Sequence, residues 1–448
     1  MSVFDEYGRI GQERWQGFIS EEFLKELQGK KGIKVYKEMS ENDAVIGAII
    51  FTIKMLIRQV DWVIKPSGNS QKDKEAADFI TECMDDMNGS TWTDTISEIL
   101  SFLVYGWSAH ELVYKRRLGR SKDPKKKSKY NDGLIGWEKI PIRAQETLYQ
   151  WEYEEHTDNV IGLSQMPPPD YGVITIPKER LLLFRTESRK DNPEGKSILR
   201  NCYRSWYYKK RIEEIEGVGI ERDLAGLPVM KLPENFDKMI LGEKNYNAGI
   251  AEAKSIVCNI RRDSQEGIVL PFGWDLQLLS TGGRRNFDTT QIIERYDSRI
   301  AMTCLADFIL LGHQNVGSFA LSSDKTDLFG VALGTYIDII CEEFTNNAIP
   351  KLIDLNSPKF DGITDYPCLD HSDIESPDLV TLSTFVKDMA GIGVITPDAD
   401  LEEYLRDAAH LPEASLKTAK PLQPQQQPEQ DPKEKRDEPN TDNQDEQA

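Results

Sequence analysis

The sequence has no apolar stretch long enough to cross a bilayer: its longest, residues 44–53, is cut by Lys54 and falls short of the roughly 20 residues a spanning helix needs. The opening segment, MSVFDEYGRIGQERW, carries acids and has no apolar centre of the secretory kind, so a cytosolic start is expected. Cysteine is sparse. Cys83, Cys202, Cys258, Cys304, Cys341 and Cys368 include no CxxC and no Cys/His spacing of the zinc type, which points to small buried hydrophobes in a reducing compartment rather than to disulfides or a metal clasp.

Catalytic signatures are also missing. No GxxxxGK[ST] offers a loop for nucleotide phosphates, and Gly217-Val218-Gly219 lacks both the third glycine of a GxGxxG and the strand expected before it. Neither HExxH nor GxSxG occurs, and the five histidines lie far apart. Positive charge is in deficit: 55 Lys and Arg stand against 75 Asp and Glu, a formal net charge of −20. That balance argues against a protein that grips nucleic acid by neutralising phosphates. It is compatible with one along which DNA slides, because an acidic wall repels the polyanion.

What is present fits a large α+β protein. At 448 residues, with 39% apolar content, eight Trp, sixteen Tyr and sixteen Phe, the chain can form two or three packed parts plus appendages. A mean hydropathy of −0.51 and 29% charge indicate a broad wetted surface. Residues 1–40 are mixed and polar. Apolar periodicity then predicts helices over 44–57, capped by Ser40 or Asn42, over 70–87 and over 91–104, with a strand at 59–66. A hairpin with strands 109–117 and 134–142 carries the loop GRSKDPKKKSKYNDG, and further strands fit 172–176 and 180–185.

The pattern changes to long helix at 196–224, roughly 40 Å at 1.5 Å per residue. Ile198, Leu199, Cys202, Tyr203, Trp206, Ile212, Ile215 and Val218 make an apolar stripe, with Lys209, Lys210, Arg211, Glu213, Glu214 and Glu216 turned mostly elsewhere. An α/β insert follows, with strands at 227–232 and 267–279 around a helix at 248–261. A second helix is predicted over 288–311, with Asp288 as N-cap, Gln291 at the third position and Gly312 as its stop. After a polar loop at 313–323 comes a third long helix from 324 to about 349, ended by Pro350. A helix pair at 376–390 and 396–409, with Thr396 as cap and Pro397 at the first helical position, closes the ordered chain. From residue 421 on, eight acids, three bases and no aromatic residue give the composition of a disordered tail.

Three clusters invite chemistry. Asp365, Asp370, His371, Asp373 and Glu375 have the residue types of a divalent-cation site, which would make the chain a metal-dependent nuclease or other phosphoryl-transfer enzyme. Pro367 and Pro377 bracket the run, and a solvated acidic loop accounts for it better, so no metal, cofactor or catalytic residue is expected. Residues 115–129 hold nine Lys or Arg and one Asp, including Arg120, Lys125, Lys126 and Lys127, a candidate partner-binding loop. With no aromatic residue interleaved to stack bases, a solvated hairpin tip is the plainer reading. The 376–409 pair resembles a helix-turn-helix only in outline, since Asp398, Asp400, Glu402, Glu403 and Asp407 would face phosphates with Arg406 alone to offset them.

Four segments carry a family likeness: YGWSAHELVY at 105–114, RLLLFRTESRKDNPEGKSILR at 180–200, IEGVGIERDLAGLPVMKLP at 215–233 and GIGVITPDADLEEYL at 391–405. Together with the order of parts, they make the chain resemble the portal proteins of tailed phages, most of all the Mu-like phage and prophage subgroup. The resemblance implies an α+β portal fold. It has a wing at 1–195, a first stem helix at 196–227, a clip at 228–287 and a second stem helix at 288–312. A tunnel loop at 313–323, a long helix returning to the wing at 324–375, a crown helix pair at 376–412 and a disordered acidic tail at 413–448 complete it.

The resemblance further implies a non-enzymatic ring of twelve subunits at one capsid vertex of the virion, assembled in the host cytoplasm. Through it DNA is packaged by a separate ATP-driven terminase and later ejected. His313, Gln314, Asn315 and Ser318 would lie on the tunnel loop. Lys209, Lys210, Arg211, Glu213, Glu214, Arg295 and Arg299 would face the channel or a neighbouring subunit. Implied partners are other copies of the chain, the terminase large subunit, a head–tail adaptor, major capsid and scaffold proteins, and double-stranded DNA passing non-specifically, with no membrane.

Overall fold

The computed structural model describes residues 8–155, 157–225, 227–259, 269–270, 272–279, 288–306, 319–372, 379–392, 394, 398, 401–402 and 405–406. The chain divides into two units, one up to Ile374 and one from Glu375 on. The first opens with α1 (Gly29–Asn42), α2 (Ala44–Arg58), α3 (Gln71–Asp85), α4 (Trp92–Ile99) and α5 (Ser101–Tyr105). In α2 the β-branched residues Ile46, Ile49, Ile50, Ile53 and Ile57 form one buried face, so packing overrides their modest helix propensity. The cap of α2 is Asp43 rather than Ser40 or Asn42: its carboxylate accepts from the N–H groups of Val45 and Ile46, each at 3.0 Å. Capping boxes start α3 at Ser70 with Asp73 and α4 at Thr91 with Asp94.

Gly106 ends α5 with φ 93°, and a Cβ there would stand 2.6 Å from the carbonyl oxygen of Glu194. Only glycine allows both the left-handed turn and that approach. The predicted 109–142 hairpin is split between two sheets. Trp107–Glu111 lies between Leu181–Arg185 and Ile142–Arg143, all antiparallel, while Val113–Arg116 pairs with Ile135–Lys139 across a bulge at Val113/Tyr114. The break falls at Leu112, whose N–H donates to Arg180 O at 2.8 Å. A third sheet, Leu148–Tyr153, Val160–Gln165 and Ile174–Pro177, packs a small core in which Trp107 and Trp151 meet edge to face at 5.1 Å.

Four further helices follow: α6 (Tyr203–Ala225), α7 (Lys238–Asn259), α8 (Thr289–Thr303) and α9 (Phe319–Glu343). The helix predicted at 248–261 is longer, with a kink at Gly242, φ 77°. Among the described residues of the predicted strand 267–279, Asp275–Leu279 form the strand, which pairs antiparallel with Leu227–Lys231. Pro350 does not stop the third long helix. The turn Phe344–Ala348 widens to π-helical, Ile349 N–H reaches back to Phe344 O, and α10 (Ile349–Leu355) starts with the proline in its first turn, where a missing N–H is harmless. That wide turn also carries Phe344 into the main core, 4.9 Å from Trp92 and 5.8 Å from Phe184 between ring centroids.

The main core joins the buried faces of α2, α3, α5 and α9 to Trp137, Leu182 and Phe184. His110 is sealed within the first unit, its Nδ1 3.2 Å from Ile140 O and its Nε2 without a partner. Burial holds its pKa down at about 4, below the ordinary value near 6.5. A depressed imidazole pKa means that the unfolded state takes up the proton first. Stability is therefore complete above about pH 6.5 and declines toward pH 4. His110→Gln is expected to flatten that decline, read as the difference between acid-unfolding curves followed by tryptophan fluorescence; parallel curves would contradict it.

In the second unit Leu379–Gly391 is helical, as are residues 401–402 and 405–406. The carboxylate of Asp398 accepts from Leu401 N–H at 2.9 Å, and Arg406 pairs with Glu402 at 2.8 Å. Thr396, Pro397 and the tail at 413–448 lie outside the described residues. No described helix is long and apolar enough to cross a membrane.

Candidate functional site: the paired helices and the basic loop

Helices α6 and α8 pack against each other, with a register fixed along their length by three side-chain pairs. Cys202 Sγ, just before α6, lies 3.5 Å from Cys304 Sγ at the end of α8. Lys209 Nζ reaches Asp297 Oδ1 at 2.5 Å, and Thr289 Oγ1 donates to the carboxylate of Glu216. Seven or eight residues separate successive pairs on both helices, and the numbers run in opposite senses, so the helices are antiparallel and touch about every two turns. α8 starts where the sequence predicts, with the Asp288 carboxylate accepting from Gln291 N–H at 3.3 Å.

α8 stops at Thr303 rather than near Leu311. Leu305 takes φ 57°, while Ala306 N–H donates to Ala301 O at 2.9 Å and Leu305 N–H to Met302 O at 3.2 Å. This is the Schellman pattern, with leucine in the left-handed position that glycine normally fills. Leu305→Gly is expected to stabilise the fold by about 0.5–1 kcal/mol, the steric relief less the entropy added to the unfolded chain. A urea midpoint unchanged or lowered would refute this.

The charged residues of the pair divide. Lys209 is buried, salt-bridged to Asp43 at 3.0 Å and to Asp297, with Glu213 at 3.9 Å, which removes it from the residues expected to face a channel or a neighbour. Its burial opposes the charge, but hydrogen bonds to Asp297 and Asp43 outweigh that and raise its pKa. Lys210 is half exposed and pairs with Glu38. Arg211, Glu213, Glu214, Arg295 and Arg299 are exposed, with Arg295 and Arg299 over the Tyr296 ring at 5.3 and 5.9 Å. The apolar stripe divides too: Leu199, Cys202 and Trp206 are buried, whereas Ile215 is 68% exposed and Val218 47%. His313, Gln314, Asn315 and Ser318 lie outside the described residues.

The basic loop is built rather than merely solvated. Lys115 and Arg117 are buried. Lys115 pairs with Asp86 at 2.9 Å, and the same carboxylate accepts from Ser128 Oγ at 2.6 Å and Lys129 N at 2.7 Å. Burial alone would raise the Asp86 pKa, but these donors hold it below the usual carboxylate range. Arg117 pairs with Glu82 at 2.5 Å and Asp132 at 2.8 Å and lies over the Tyr130 ring at 4.0 Å. Asn88 Nδ2 donates to Pro124 O at 2.9 Å, and backbone bonds run from Arg116 N to Lys125 O and from Gly119 N to Tyr130 O, both at 2.8 Å. Arg116, Arg120, Lys122, Lys125, Lys126, Lys127 and Lys129 remain exposed.

The acidic cluster does not converge. Asp370 pairs with Lys65, His371 Nε2 is 3.2 Å from Asp338, and the Asp365 carboxylate accepts from Tyr366 N–H. Asp370 and His371 are neighbours on the strand Cys368–His371, whose pleat sends successive side chains to opposite faces. Asp373 and Glu375 lie outside the described residues, among which no group of three or more His, Cys, Asp or Glu is placed to hold a metal ion.

An α+β scaffold that presents an antiparallel helix pair beside a helix-and-strand insert is the class these elements define. The family model described as the portal protein of Mu bacteriophage matches residues 33–410, most of the chain, and the chain belongs to that family. Portal proteins are structural, not enzymes, which sets aside the nuclease reading of 365–375. Among solved structures, the chain is similar to one from "Virion of native gene transfer agent (GTA) particle" at 10% identity and TM-score 0.47, covering 85% of this chain and 94% of that one. It is similar to one from "Neck of native GTA particle computed with C12 symmetry" at 10% identity and TM-score 0.45, with coverage of 85% and 94%. An HK97 family phage portal protein from Corynebacterium diphtheriae gives 11% identity and TM-score 0.39, covering 75% of this chain and 95% of that one.

Proposed function

We propose that copies of this chain close into a ring, of twelve subunits, at one capsid vertex, and that α6 and α8 wall a channel through which double-stranded DNA enters during packaging and leaves at ejection. In this reading 1–195 is the wing, 228–287 the clip, 313–323 the tunnel loop and 376–412 the crown. The ring docks the terminase large subunit, a head–tail adaptor, and major capsid and scaffold proteins. It is built in the host cytoplasm and carried in the virion.

Beyond family membership, the observation that supports the ring is the outer surface of the helix pair. Ile215 and Val218, three residues apart and so on one face of α6, are exposed in the single chain, and a contiguous exposed apolar patch marks an interaction surface. In a ring one such surface meets a different surface of the next copy, and the interface closes by rotation. Arg211, Glu213, Glu214, Arg295 and Arg299 then face either the neighbour or the DNA. Negative-stain imaging and native mass spectrometry of the purified chain test this. Rings with a central opening, at twelve times the 51.1 kDa subunit mass, are expected, and Ile215→Glu should leave folded monomers. A monomer under every assembly condition would overturn the proposal.

A further inference from the structure

We propose that the ordered loop at 116–129 is a binding site for the phosphate backbone of duplex DNA, separate from any contact made by the paired helices. It presents seven exposed cations: Arg116, Arg120, Lys122, Lys125, Lys126, Lys127 and Lys129. Of the nearby acids, Asp86 pairs with Lys115 and Glu82 and Asp132 with Arg117, while the exposed Asp85 accepts from Lys129 Nζ through its backbone carbonyl. Among the described residues, the one acid paired with an exposed cation of the loop is Asp123, 3.9 Å from Lys126.

A loop that served only solubility would need no fixed shape. This one is fastened on three sides: at Asp86 through Ser128 Oγ and Lys129 N, at Asn88 through Pro124 O, and across its own backbone between Arg116 and Lys125. Its ordering entropy is spent in folding, so a ligand meets charges already in place. The formal charge of −20 does not cancel the patch, because ions screen charges beyond a Debye length of roughly 10 Å at 0.1 M salt.

The composition selects the ligand. Protein interfaces have apolar, often aromatic cores and are depleted in lysine, whereas this surface has five lysines, two arginines and Leu118 as its one exposed large apolar residue. The nearby aromatic, Tyr130, is stacked beneath Arg117, which leaves no free ring for an unpaired base. Sequence-independent contact with duplex phosphates fits both facts. The inference needs only the folded chain and does not depend on ring closure.

Full-length protein titrated with a fluorescent 30-base-pair duplex, at salt from about 50 to 200 mM, tests the site. Binding should weaken steeply with salt. Reversing Lys125, Lys126 and Lys127 to Glu should lower affinity on the order of a hundredfold at the low-salt end and reduce the log–log salt slope by about 2–3, near 0.9 for each phosphate no longer neutralised. Changing the same three to Arg should keep affinity within about threefold. The Lys→Gln triple serves if the Glu triple does not fold. No duplex binding by the unaltered chain, equal binding by the altered one, or tighter binding of a polyglutamate peptide than of duplex would each overturn the proposal. Native mass spectrometry of the same samples reads assembly independently, so loss of rings and loss of DNA binding are told apart.

Discussion

Lys209→Met is expected to destabilise the protein by about 4 kcal/mol, the cost of leaving a buried ion-pair partner without its opposite charge. Removing the ammonium strands Asp43 and Asp297, which both converge on it. Asp43 keeps two backbone donors at the start of α2, whereas Asp297 loses the partner that ties α8 to α6. Urea unfolding followed by tryptophan fluorescence measures the loss, and a change under about 1 kcal/mol would show that the three groups are not coupled. Because the folded pKa of Lys209 is raised, its contribution is full below the ordinary lysine value. It disappears as pH rises through the raised one, so the gap between wild type and variant should persist across neutral pH. Adding Asp297→Asn should recover part of the deficit, since the stranded carboxylate is then replaced by a neutral group.

Asp86→Ala should be comparably severe, about 3–4 kcal/mol, since it leaves the ammonium of fully buried Lys115 without its carboxylate. It also removes the acceptor for Ser128 and Lys129, so faster amide exchange is expected throughout residues 118–134. A variant with normal stability and unchanged exchange in that segment would refute the assignment. The pH dependence runs opposite to that of Lys209. The Asp86 pKa is lowered, so its contribution is present above the ordinary carboxylate pKa near 3.9 and is lost as pH falls through the folded value.

Much of the local structure is legible in the sequence because it depends on short-range chemistry. The capping boxes at Ser70 and Thr91, the strand at 181–185 and the N-cap Asp288 all follow from residues within a few positions of one another. α1 is hidden because GKKGIKVYKEMSEN has two glycines and a polar average, although Ile33, Tyr36 and Met39 are buried at helical spacing. The strands at 148–153 and 160–165 are hidden because WEYEEHTDN breaks their alternation with charge.

The site is harder to read for a different reason. In sequence Lys209 is one of three consecutive cations, Lys209, Lys210 and Arg211, and nothing local sets it apart. Its burial is decided by Asp43 and Asp297, which are distant in the chain. Lys115 and Arg117 likewise read as part of a basic run until Asp86, Glu82 and Asp132 close around them. The end of α8 falls earlier than its sequence suggests because a leucine occupies the turn where a glycine would have announced it.

The pairing of Trp62–Lys65 with Cys368–His371 has a consequence for synthesis. A strand made early waits for a partner translated some three hundred residues later, and α2, packed early against α1 and α4, waits for α8 and α9 to complete its core. Until those segments leave the ribosome, the nascent chain holds an open sheet edge and a partly uncovered apolar helix, features that make incomplete chains prone to aggregate. A chain truncated before residue 368 therefore lacks the strand that closes this edge and exposes backbone donors and acceptors that the full-length protein pairs.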